Sequence, residues 1–437
     1  MSWLGGQNDS SAGRSGVVTV LDVGSSKICC VVGKLKPREE SQALPGRTHQ
    51  VKVIGIGHQK SQGVKSGVII DLDRAEQAIR LAVDAAERMA GLTAESLIVN
   101  MSAGRLKSET FSATVNLGGH QAGEGDIRRV LAAGAKQALR AEREVVHSLP
   151  VGFSLDAERG VRDPRGMLGE MLGVDMHVMT ADAAPLRNLE LCINRSHLSV
   201  ERMVATPYAS GLAALVDDEA EMGAACIDMG GGTTTISVFA DGKLVHADSI
   251  PVGGHHVTMD LARGMSTRME HAERLKVMHG SALPGGDDDR DIVTIQPMGP
   301  DDGDVPQQLP RAVMNKIIRA RIEETLEIVR DRLNKSGYGS VIGKRVVLTG
   351  GASQLTGLTE AARRIMARNV RLGRPLGVTG LPEAAKGPAF ATTVGLLIYP
   401  QVASFESRYG KGGGLRFLAT GTGGRFQRVS QWFRDSF

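Results

Sequence analysis

Three stretches of the chain combine glycines with residues that could hold phosphate. The most distinctive is 226–239, where two apolar runs flank Gly230, Gly231 and Gly232. This pattern predicts paired strands joined by a tight turn whose backbone N–H groups can approach a bulky anion. Asp228 ends the first run, and a carboxylate beside phosphates needs a cation between them, for which water-bridged Mg²⁺ is the natural candidate. Taken alone, the stretch could equally be a Gly-rich hairpin with a solvated acid.

A second turn of this kind follows the apolar run 17–23. Asp22 lies near the end of that run, and another apolar run, 28–33, comes directly after the turn. The turn offers a backbone that could closely approach a phosphate, two hydroxyl groups, and a cationic side chain that could counter phosphate charge. These residues are Gly24, Ser25, Ser26 and Lys27. By itself, this turn is a weak signal.

The third stretch is a predicted strand that runs into paired glycines and then into a helix over 358–368. The strand begins at Val346 and ends in Gly350, Gly351, Ala352 and Ser353. This order places backbone close to a ligand at the carboxyl end of the strand. Together, the first two turns suit the two sides of a nucleotide's phosphates, and the third suits its nucleoside end.

Composition points to a globular chain and argues against several classes of protein. Its 437 residues are enough for two domains, and 41% are apolar and 23% charged. A net charge of +4 without a basic stripe, and an aromatic content of 3%, argue against nucleic-acid binding. We find neither a signal core in 1–16 nor an apolar run of ~18 residues, so we expect a chain that is neither secreted nor transmembrane.

The four cysteines show no C-x-x-C spacing and lie in or beside apolar runs: Cys29, Cys30, Cys192 and Cys226. We therefore expect buried, reduced thiols rather than metal ligands, and a cytoplasmic compartment.

Hydrophobic periodicity predicts further elements. A helix with an apolar face from Ala75 to Met89 is opened by a capping box at 73–76, and a long amphipathic helix covers 313–333. Over 97–179 the pattern changes to strands, a Gly-rich turn and a helix predicted over 126–147, whose charges at 140–144 would form its solvated face.

Two polar segments precede the long helix. An exposed acidic turn is predicted over 287–291, and a loop rich in Pro, Gly and Asp is predicted over 297–310.

The end of the chain has the composition of a tethered amphipathic helix. Residues 403–424 are Gly-rich and predict a flexible linker. In 425–437 the apolar residues share one helical face, and arginines occupy other positions, which is typical of a helix lying in a membrane interface. The apolar set is Phe426, Val429, Trp432, Phe433 and Phe437, and the basic set is Arg425, Arg428 and Arg434. The alternative is a helix docked on the protein's own core.

In this order the three glycine stretches resemble the ATPase superfamily of actin, hexokinase and Hsp70, in which two related α/β domains clamp Mg-ATP. Within it, the chain resembles the FtsA family of bacterial cell-division proteins, the actin-like membrane anchors of the tubulin-like FtsZ ring. The motifs that carry this resemblance are 227–234, 272–280 and 347–352, and the position of the insertion also fits.

The resemblance implies an α/β, actin-like two-domain ATPase fold with an inserted α+β subdomain and a C-terminal amphipathic helix. The implied boundaries are a disordered tail 1–16; a first lobe 17–96 and 180–207; the insert 97–179; a second lobe 208–253 and 336–402; its small subdomain 254–335; a linker 403–424; and a membrane-targeting helix 425–437.

By motif match, Asp22 and Asp228 would face Mg²⁺, and the three glycine stretches would bind ATP. The residues expected at the phosphates are Gly24, Ser25, Ser26, Lys27, Gly230, Gly231, Gly232, Thr233 and Thr234, and those at the nucleoside are Gly350, Gly351, Ala352 and Ser353. Glu273 and Lys276 match a pair that contacts adenosine, although they could also be a surface i, i+3 charge pair.

One departure from the ATP-hydrolysing relatives concerns catalysis. Thr206 stands where those relatives place a Glu or Gln that orients the attacking water, so we expect at most slow hydrolysis.

The resemblance also implies partners and a location: FtsZ through its acidic C-terminal tail, other copies of the chain in filaments, membrane lipid and other division proteins, at the cytoplasmic side of the inner membrane at the division site. Arg319 and Arg321 are candidates for the FtsZ tail, although they could simply form a solvated helix face. Alternatives from the same superfamily are a small-molecule kinase and an Hsp70-like ATPase.

Overall fold

Two sheets that share an order of five strands form the framework of the protein. The computed structural model describes residues 16–38, 47–137, 142–286, 288, 290–296 and 306–403. The strands of the first sheet are β1 (Gly16–Val23), β2 (Lys27–Pro37), β3 (His49–Lys60), β6 (Ser96–Met101), β11 (Ser199–Ala205) and β19 (Val378–Thr379). Those of the second are β12 (Ala224–Met229), β13 (Thr234–Ala240), β14 (Lys243–Ile250), β17 (Arg345–Thr349) and β18 (Asn369–Leu372).

The order β3-β2-β1-β6-β11 in the first sheet matches β14-β13-β12-β17-β18 in the second. In both sheets, the first three strands in this order pair antiparallel with one another. The fourth strand then pairs parallel with the third, and the fifth pairs parallel with the fourth. The β1–β2 turn and the β12–β13 turn therefore occupy equivalent positions, as the two predicted glycine turns require.

Helices cover the first sheet. The short pair β4 (Val64–Lys65) and β5 (Val68–Ile69) precedes α1 (Leu72–Ala90), and α3 (Ala183–Arg195) lies ahead of β11. The predicted apolar face of α1 is confirmed from Ala75 to Ala86, whereas Met89 is exposed. The predicted capping box was placed too late, because the N-cap is Asp71, whose side chain accepts from the Arg74 N–H at 3.1 Å.

The inserted subdomain is a sheet with the order β7-β10-β8-β9 and one covering helix. Its elements are β7 (Lys107–Asn116), α2 (Glu124–Lys136), β8 (Arg143–Leu155), β9 (Glu158–Val161) and β10 (Met171–Asp182). The helix predicted over 126–147 was too long, because β8 pairs with β10 from Arg143 onward. Val145 and Val146 favour this strand.

The predicted solvated face at 140–144 was also wrong at Arg143. Its guanidinium is largely buried, pairs with Asp182 and donates to the carbonyl oxygens of Thr180 (2.7 Å) and Arg105 (2.8 Å). The charge thus anchors the start of β8 instead of facing water.

After β14 the chain forms α6 (Gly254–Gly264), α7 (Met269–His279), β15 (Ile292–Ile295), β16 (Gln307–Pro310) and α8 (Arg311–Lys335). The amphipathic helix predicted over 313–333 is confirmed as α8, although Val313 is exposed and Met314 takes the buried position. Strand β16 forms the end of the loop predicted over 297–310, and 297–305 lie outside the described residues.

The acidic turn predicted as exposed contains a buried acid. Asp288 is 5% exposed and accepts from Arg311 Nε (2.9 Å), Asn315 Nδ2 (3.0 Å) and the Gly285 N–H (2.8 Å). The expectation was wrong at this position because Arg311 and Asn315, at the start of α8, donate hydrogen bonds that compensate for burying the carboxylate.

The remaining helices lie around the junction of the lobes and on the second lobe: α4 (Thr206–Ala214), α5 (Asp217–Met222), α9 (Gly339–Ile342), α10 (Leu358–Met366) and α11 (Ala391–Val402). Helices α4 and α11 cross with their backbones in contact, since a Cβ added at Gly395 would lie 1.7 Å from the carbonyl oxygen of Ala209. Only glycine permits this approach.

All four cysteines are buried free thiols, as predicted. Burial raises the pKa of the Cys29 thiol to about 11, so it stays protonated near neutral pH.

No described helix has the length and apolar character needed to cross a membrane. The predicted linker and amphipathic helix fall within 404–437, outside the part of the chain that the structure describes, apart from Ala403.

His177 joins the insert to the second lobe. Its Nδ1 lies 3.0 Å from the carbonyl oxygen of Leu244 on β14, and its Nε2 lies 2.6 Å from Ser108 Oγ. Because Leu244 O can only accept, Nδ1 carries the hydrogen, and Ser108 donates to Nε2 while accepting from the Ala247 N–H at 3.0 Å. Burial lowers the pKa of His177 from 6.5 to about 3, and the charge of His246 adds to this effect.

We predict that His177→Gln flattens the pH dependence of stability. The unfolded chain takes up a proton at this histidine below pH 6.5 and the folded chain does not, so wild-type stability falls as the pH is lowered. Between pH 7.5 and pH 5 the wild-type free energy of unfolding should fall by about 2 kcal/mol more than that of the variant, measured by urea unfolding. His279→Gln, at an exposed histidine, should keep the wild-type slope, and parallel slopes for all three proteins would contradict this role of His177.

Candidate functional site

The two predicted glycine turns meet in the structure. Each is closed by a backbone hydrogen bond, from Gly24 N to Lys27 O (3.0 Å) and from Gly230 N to Thr233 O (2.9 Å). A Cβ added at Gly231 would lie 2.0 Å from Ser26 Oγ, so the turns are in direct contact across the cleft between the lobes. A side chain at Gly231 would force them apart.

Behind the turns lie the two predicted metal-facing acids, Asp22 and Asp228, each 6% exposed. Two adjacent residues of α11 hold them: Thr393 Oγ1 donates to Asp22 (2.7 Å) and Thr392 Oγ1 donates to Asp228 (2.8 Å). Lys27 Nζ lies 3.3 Å from Asp22. One helix therefore contacts a carboxylate from each sheet.

Sequence reasoning missed Thr392 and Thr393. The available signal was a pair of hydroxyl residues at the start of an otherwise apolar segment, 391–399. Hydroxyls in the first turn of a helix, where the N-terminal dipole also favours negative charge, suit carboxylate partners.

The surroundings of Asp228 make its charge costly. Burial raises its pKa to about 6, the bond from Thr392 opposes this rise, and the nearby charge of Asp22 adds to it. Within the described ranges, His, Cys, Asp and Glu form no group of three or more that could hold a metal. The described residues thus offer a cation two carboxylates, and any further ligands would have to come from a bound molecule and water.

The third glycine stretch lies against the second acid. Gly350 follows β17 with a φ of +86°, and a Cβ there would lie 2.2 Å from Asp228 Oδ1. Ser353 Oγ donates to the Gly350 carbonyl oxygen at 2.6 Å, which closes this turn. A Cβ added at Gly254 would lie 3.1 Å from the Cβ of Ala352, so the start of α6 forms the opposite wall.

The predicted adenosine pair lies on this wall. Lys276 Nζ donates to Glu273 Oε2 (2.7 Å), Thr258 Oγ1 (2.9 Å) and the Gly254 carbonyl oxygen (3.2 Å). The side chain of Lys276 is only 14% exposed, which distinguishes this pair from a solvated surface pair. The structure therefore brings Glu273 and Lys276 together with the turn that begins at Gly350.

Thr206 begins α4 in a buried hydrogen-bond network. Its Oγ1 lies 3.1 Å from Met101 O and 3.2 Å from Ser102 Oγ, and it accepts from Asn100 Nδ2 at 3.3 Å. Asn100 Oδ1 in turn accepts from the Val23 N–H at 2.7 Å, directly beyond Asp22. The threonine hydroxyl is thus committed to protein groups.

Three other predicted residues differ in how their side chains are bonded. Thr234 Oγ1 donates to the Val252 carbonyl oxygen at 2.8 Å. On α8, Arg321 donates to Asp260 (2.5 Å) and Glu324 (2.6 Å). The Nε of Arg319 is buried without a hydrogen-bond partner among the residues described.

Two family models match the chain. One, for cell division protein FtsA, matches residues 225–395, and the other, for the SHS2 domain inserted in FtsA, matches residues 103–180. Cell division protein FtsA of Rhizobium meliloti (strain 1021) is 66% identical over 97% of this chain and 96% of its own length. The chain belongs to the FtsA family. The protein of the same name from Escherichia coli (strain K12) is 28% identical over 96% of this chain and 98% of its own length.

Solved structures share the fold of this FtsA-family chain at low sequence identity. The PilM–PilN type IV pilus biogenesis complex matches with a TM-score of 0.60 and 15% identity, covering 88% of this chain and 98% of that chain. MreB5 of Spiroplasma citri bound to ADP matches with a TM-score of 0.52 and 11% identity, covering 90% and 97%. The predicted family, the actin-like α/β fold and its inserted subdomain are confirmed.

We predict that Thr392→Val destabilises the nucleotide-free protein by about 1–3 kcal/mol near neutral pH, because the isosteric side chain removes one hydroxyl donor from the buried carboxylate of Asp228. Urea unfolding measures this loss. Thr294→Val, at an exposed position on β15, is the matched control and should change stability by no more than about 0.5 kcal/mol. Equal effects of the two substitutions would show that the hydroxyl of Thr392 does not support Asp228.

Proposed function

We propose that this FtsA-family protein binds Mg-ATP in the cleft between its lobes and uses the bound state to form filaments that attach FtsZ to the cell membrane. The observation that carries the proposal is the meeting of two glycine turns in front of two buried carboxylates, with a third glycine turn beside them. Family membership supports a role in cell division.

The residues present fit Mg-ATP. The turn at Gly231 packs against Ser26 of the first turn, and Gly350 packs against Asp228, so the backbone proposed to bind ATP lies directly beside a residue proposed to face Mg²⁺. Asp22 and Asp228 would hold Mg²⁺ through water, and the cation would neutralise charge on carboxylates and phosphates. Glu273 and Lys276 would contact the adenosine. MreB5, which shares the fold, has been solved with ADP and with AMPPNP.

Hydrolysis in this cleft is proposed to be slow. Orienting the attacking water is a major part of phosphoryl-transfer catalysis, and a threonine hydroxyl is a poor base. The bonds of Thr206 to Met101, Ser102 and Asn100 support this proposal, since they occupy its hydroxyl.

We expect wild-type ATP turnover below about one per minute, and Thr206→Ala should leave the rate within about twofold of wild type. A phosphate-release assay on the purified full chain measures both rates. A faster wild-type turnover that survives the substitution would contradict slow hydrolysis, and a large loss of activity in the variant would show that Thr206 does orient water.

Membrane attachment is assigned to the amphipathic segment 425–437. Its aromatic residues, including Trp432, would enter the interface, and its arginines would lie near anionic lipid at ~1 kcal/mol each. One copy would bind reversibly, and a filament would turn many weak anchors into firm attachment by raising their effective concentration.

FtsZ is proposed to bind through its acidic tail at α8, around Arg319 and Arg321. Because Arg321 already bonds Asp260 and Glu324, an acidic peptide would replace existing carboxylate partners. Such an exchange costs little overall when one carboxylate substitutes for another in a partly exposed pair.

Co-sedimentation of FtsZ with vesicles of phosphatidylglycerol and phosphatidylethanolamine tests the proposal in one experiment. With Mg-ATP, the wild-type chain should bind the vesicles and bring FtsZ with it. The Trp432→Glu variant should lose vesicle binding and FtsZ recruitment, because the substitution places a charge among the apolar residues that would enter the membrane interface. Arg321→Glu should stay on the vesicles and lose FtsZ alone.

Two outcomes would contradict the proposal. Unchanged vesicle binding by Trp432→Glu would contradict the membrane assignment, and FtsZ recruitment by Arg321→Glu would contradict the assignment of the FtsZ site to α8. Electron microscopy of the same vesicles should show filaments with Mg-ATP and none without nucleotide.

A further inference from the structure

His255 is fixed by its backbone to the second glycine turn. It is the second residue of α6, and its N–H donates to the Gly231 carbonyl oxygen at 2.7 Å. The preceding N–H, of Gly254, donates to the Gly230 carbonyl oxygen at 2.9 Å. The start of α6 therefore moves with this turn.

The side chain of His255 crosses to the first glycine turn. Its Nε2 lies 3.1 Å from Ser26 Oγ and 3.3 Å from the Ser25 carbonyl oxygen. Because a carbonyl oxygen can only accept, the bond to Ser25 places the ring hydrogen on Nε2. A Cβ added at Gly231 would lie 3.2 Å from this Nε2, so the N–H points into the junction of the two turns.

A phosphate cannot enter this junction without moving the turns. Ser26 Oγ already occupies the space that a single Cβ at Gly231 would need. A bound phosphate that reaches the junction must therefore separate Ser25 and Ser26 from Gly231. The separation takes the acceptor at Ser25 away from His255, and a half-buried donor left without a partner is unfavourable.

We propose that His255 is a ligand of the terminal phosphate of a nucleoside triphosphate. The inference rests on the proposed binding of ATP in this cleft. In this structure the imidazole N–H links the two turns through Ser25, and in the triphosphate complex it donates to an oxygen of the terminal phosphate instead. The nucleoside lies at the turn that begins at Gly350, so a diphosphate ends short of the junction and leaves the bond to Ser25 in place.

The neighbouring histidine has a different role. His256 Nδ1 accepts from the Gly253 N–H at 3.1 Å, which closes the first turn of α6 onto its own backbone. Of these adjacent imidazoles, His255 is the one whose hydrogen bonds connect the lobes. This contact gives the protein a means to distinguish ATP from ADP by the closure of its turns.

Calorimetric titration of the full chain with Mg-AMPPNP and with Mg-ADP tests the inference. His255→Ala should weaken AMPPNP binding about tenfold and ADP binding by less than about twofold, as expected for loss of one hydrogen bond to a charged phosphate. His255→Gln, whose amide can donate, should recover part of the AMPPNP affinity. His279→Ala, at the exposed end of α7, should change neither affinity.

Hydrogen exchange in the nucleotide-free protein supplies a second readout. The amides of residues 24–27 should exchange faster in His255→Ala, because the first turn loses its link to the second. Unchanged exchange in a folded variant would overturn the link, and equal losses of AMPPNP and ADP affinity, or none, would overturn the assignment to the terminal phosphate. A wild-type chain that binds neither nucleotide would instead overturn the proposed ATP function, and the phosphate assignment with it.

Discussion

The arrangement of the cleft depends on two carboxylates that are buried close together. Asp22 and Asp228 come from different sheets, and each charge disfavours the other in a site of low dielectric. The protein limits this cost with hydroxyl donors from Thr392 and Thr393, with Lys27, and with the N-terminal dipole of α11. The pKa of Asp228 remains raised despite these partners, so part of the cost is left, and under the proposed function a cation would offset it.

The matching strand order of the two sheets brings this pair together. Because β1 and β12 occupy equivalent positions, their acids lie at equivalent strand ends, and the turns that follow face each other. Strand β17 pairs parallel with β12, and Gly350, which follows β17, therefore lies beside Asp228. The position of the cleft is therefore determined by sheet topology, and the local sequence determines which side chains line it.

The sequence was informative where local pattern decides structure. The glycine turns at Gly24 and Gly230 were predictable because β-branched runs bracket them, and α8 was predictable from its periodicity. The helix over 126–147 failed since the pairing of β8 with β10 is a tertiary interaction that outweighs local propensity. Asp288 was misjudged for a similar reason, because its donors come from α8.

The residues of the candidate site also fall into those that local sequence predicts and those that it does not. Its acids and glycines were visible because each has a chemical signature within a few residues. Thr392, Thr393 and His255 were missed because their significance depends on partners far away in the chain: Asp22 is more than half the chain distant from Thr393, and Ser25 lies on the opposite lobe from His255. Contacts of this range cannot be inferred from a single sequence.

The crossing of α4 and α11 at Gly395 has a mechanical consequence. With Ala209 and Gly395 touching backbone to backbone, no side chain is available to deform, and the helices cannot slide along each other without a clash. Any change in cleft width that keeps this contact is a rotation about it. In a rotation, displacement grows with distance from the axis, so a shift of one phosphate oxygen's width near the axis becomes a larger movement at surfaces farther from it.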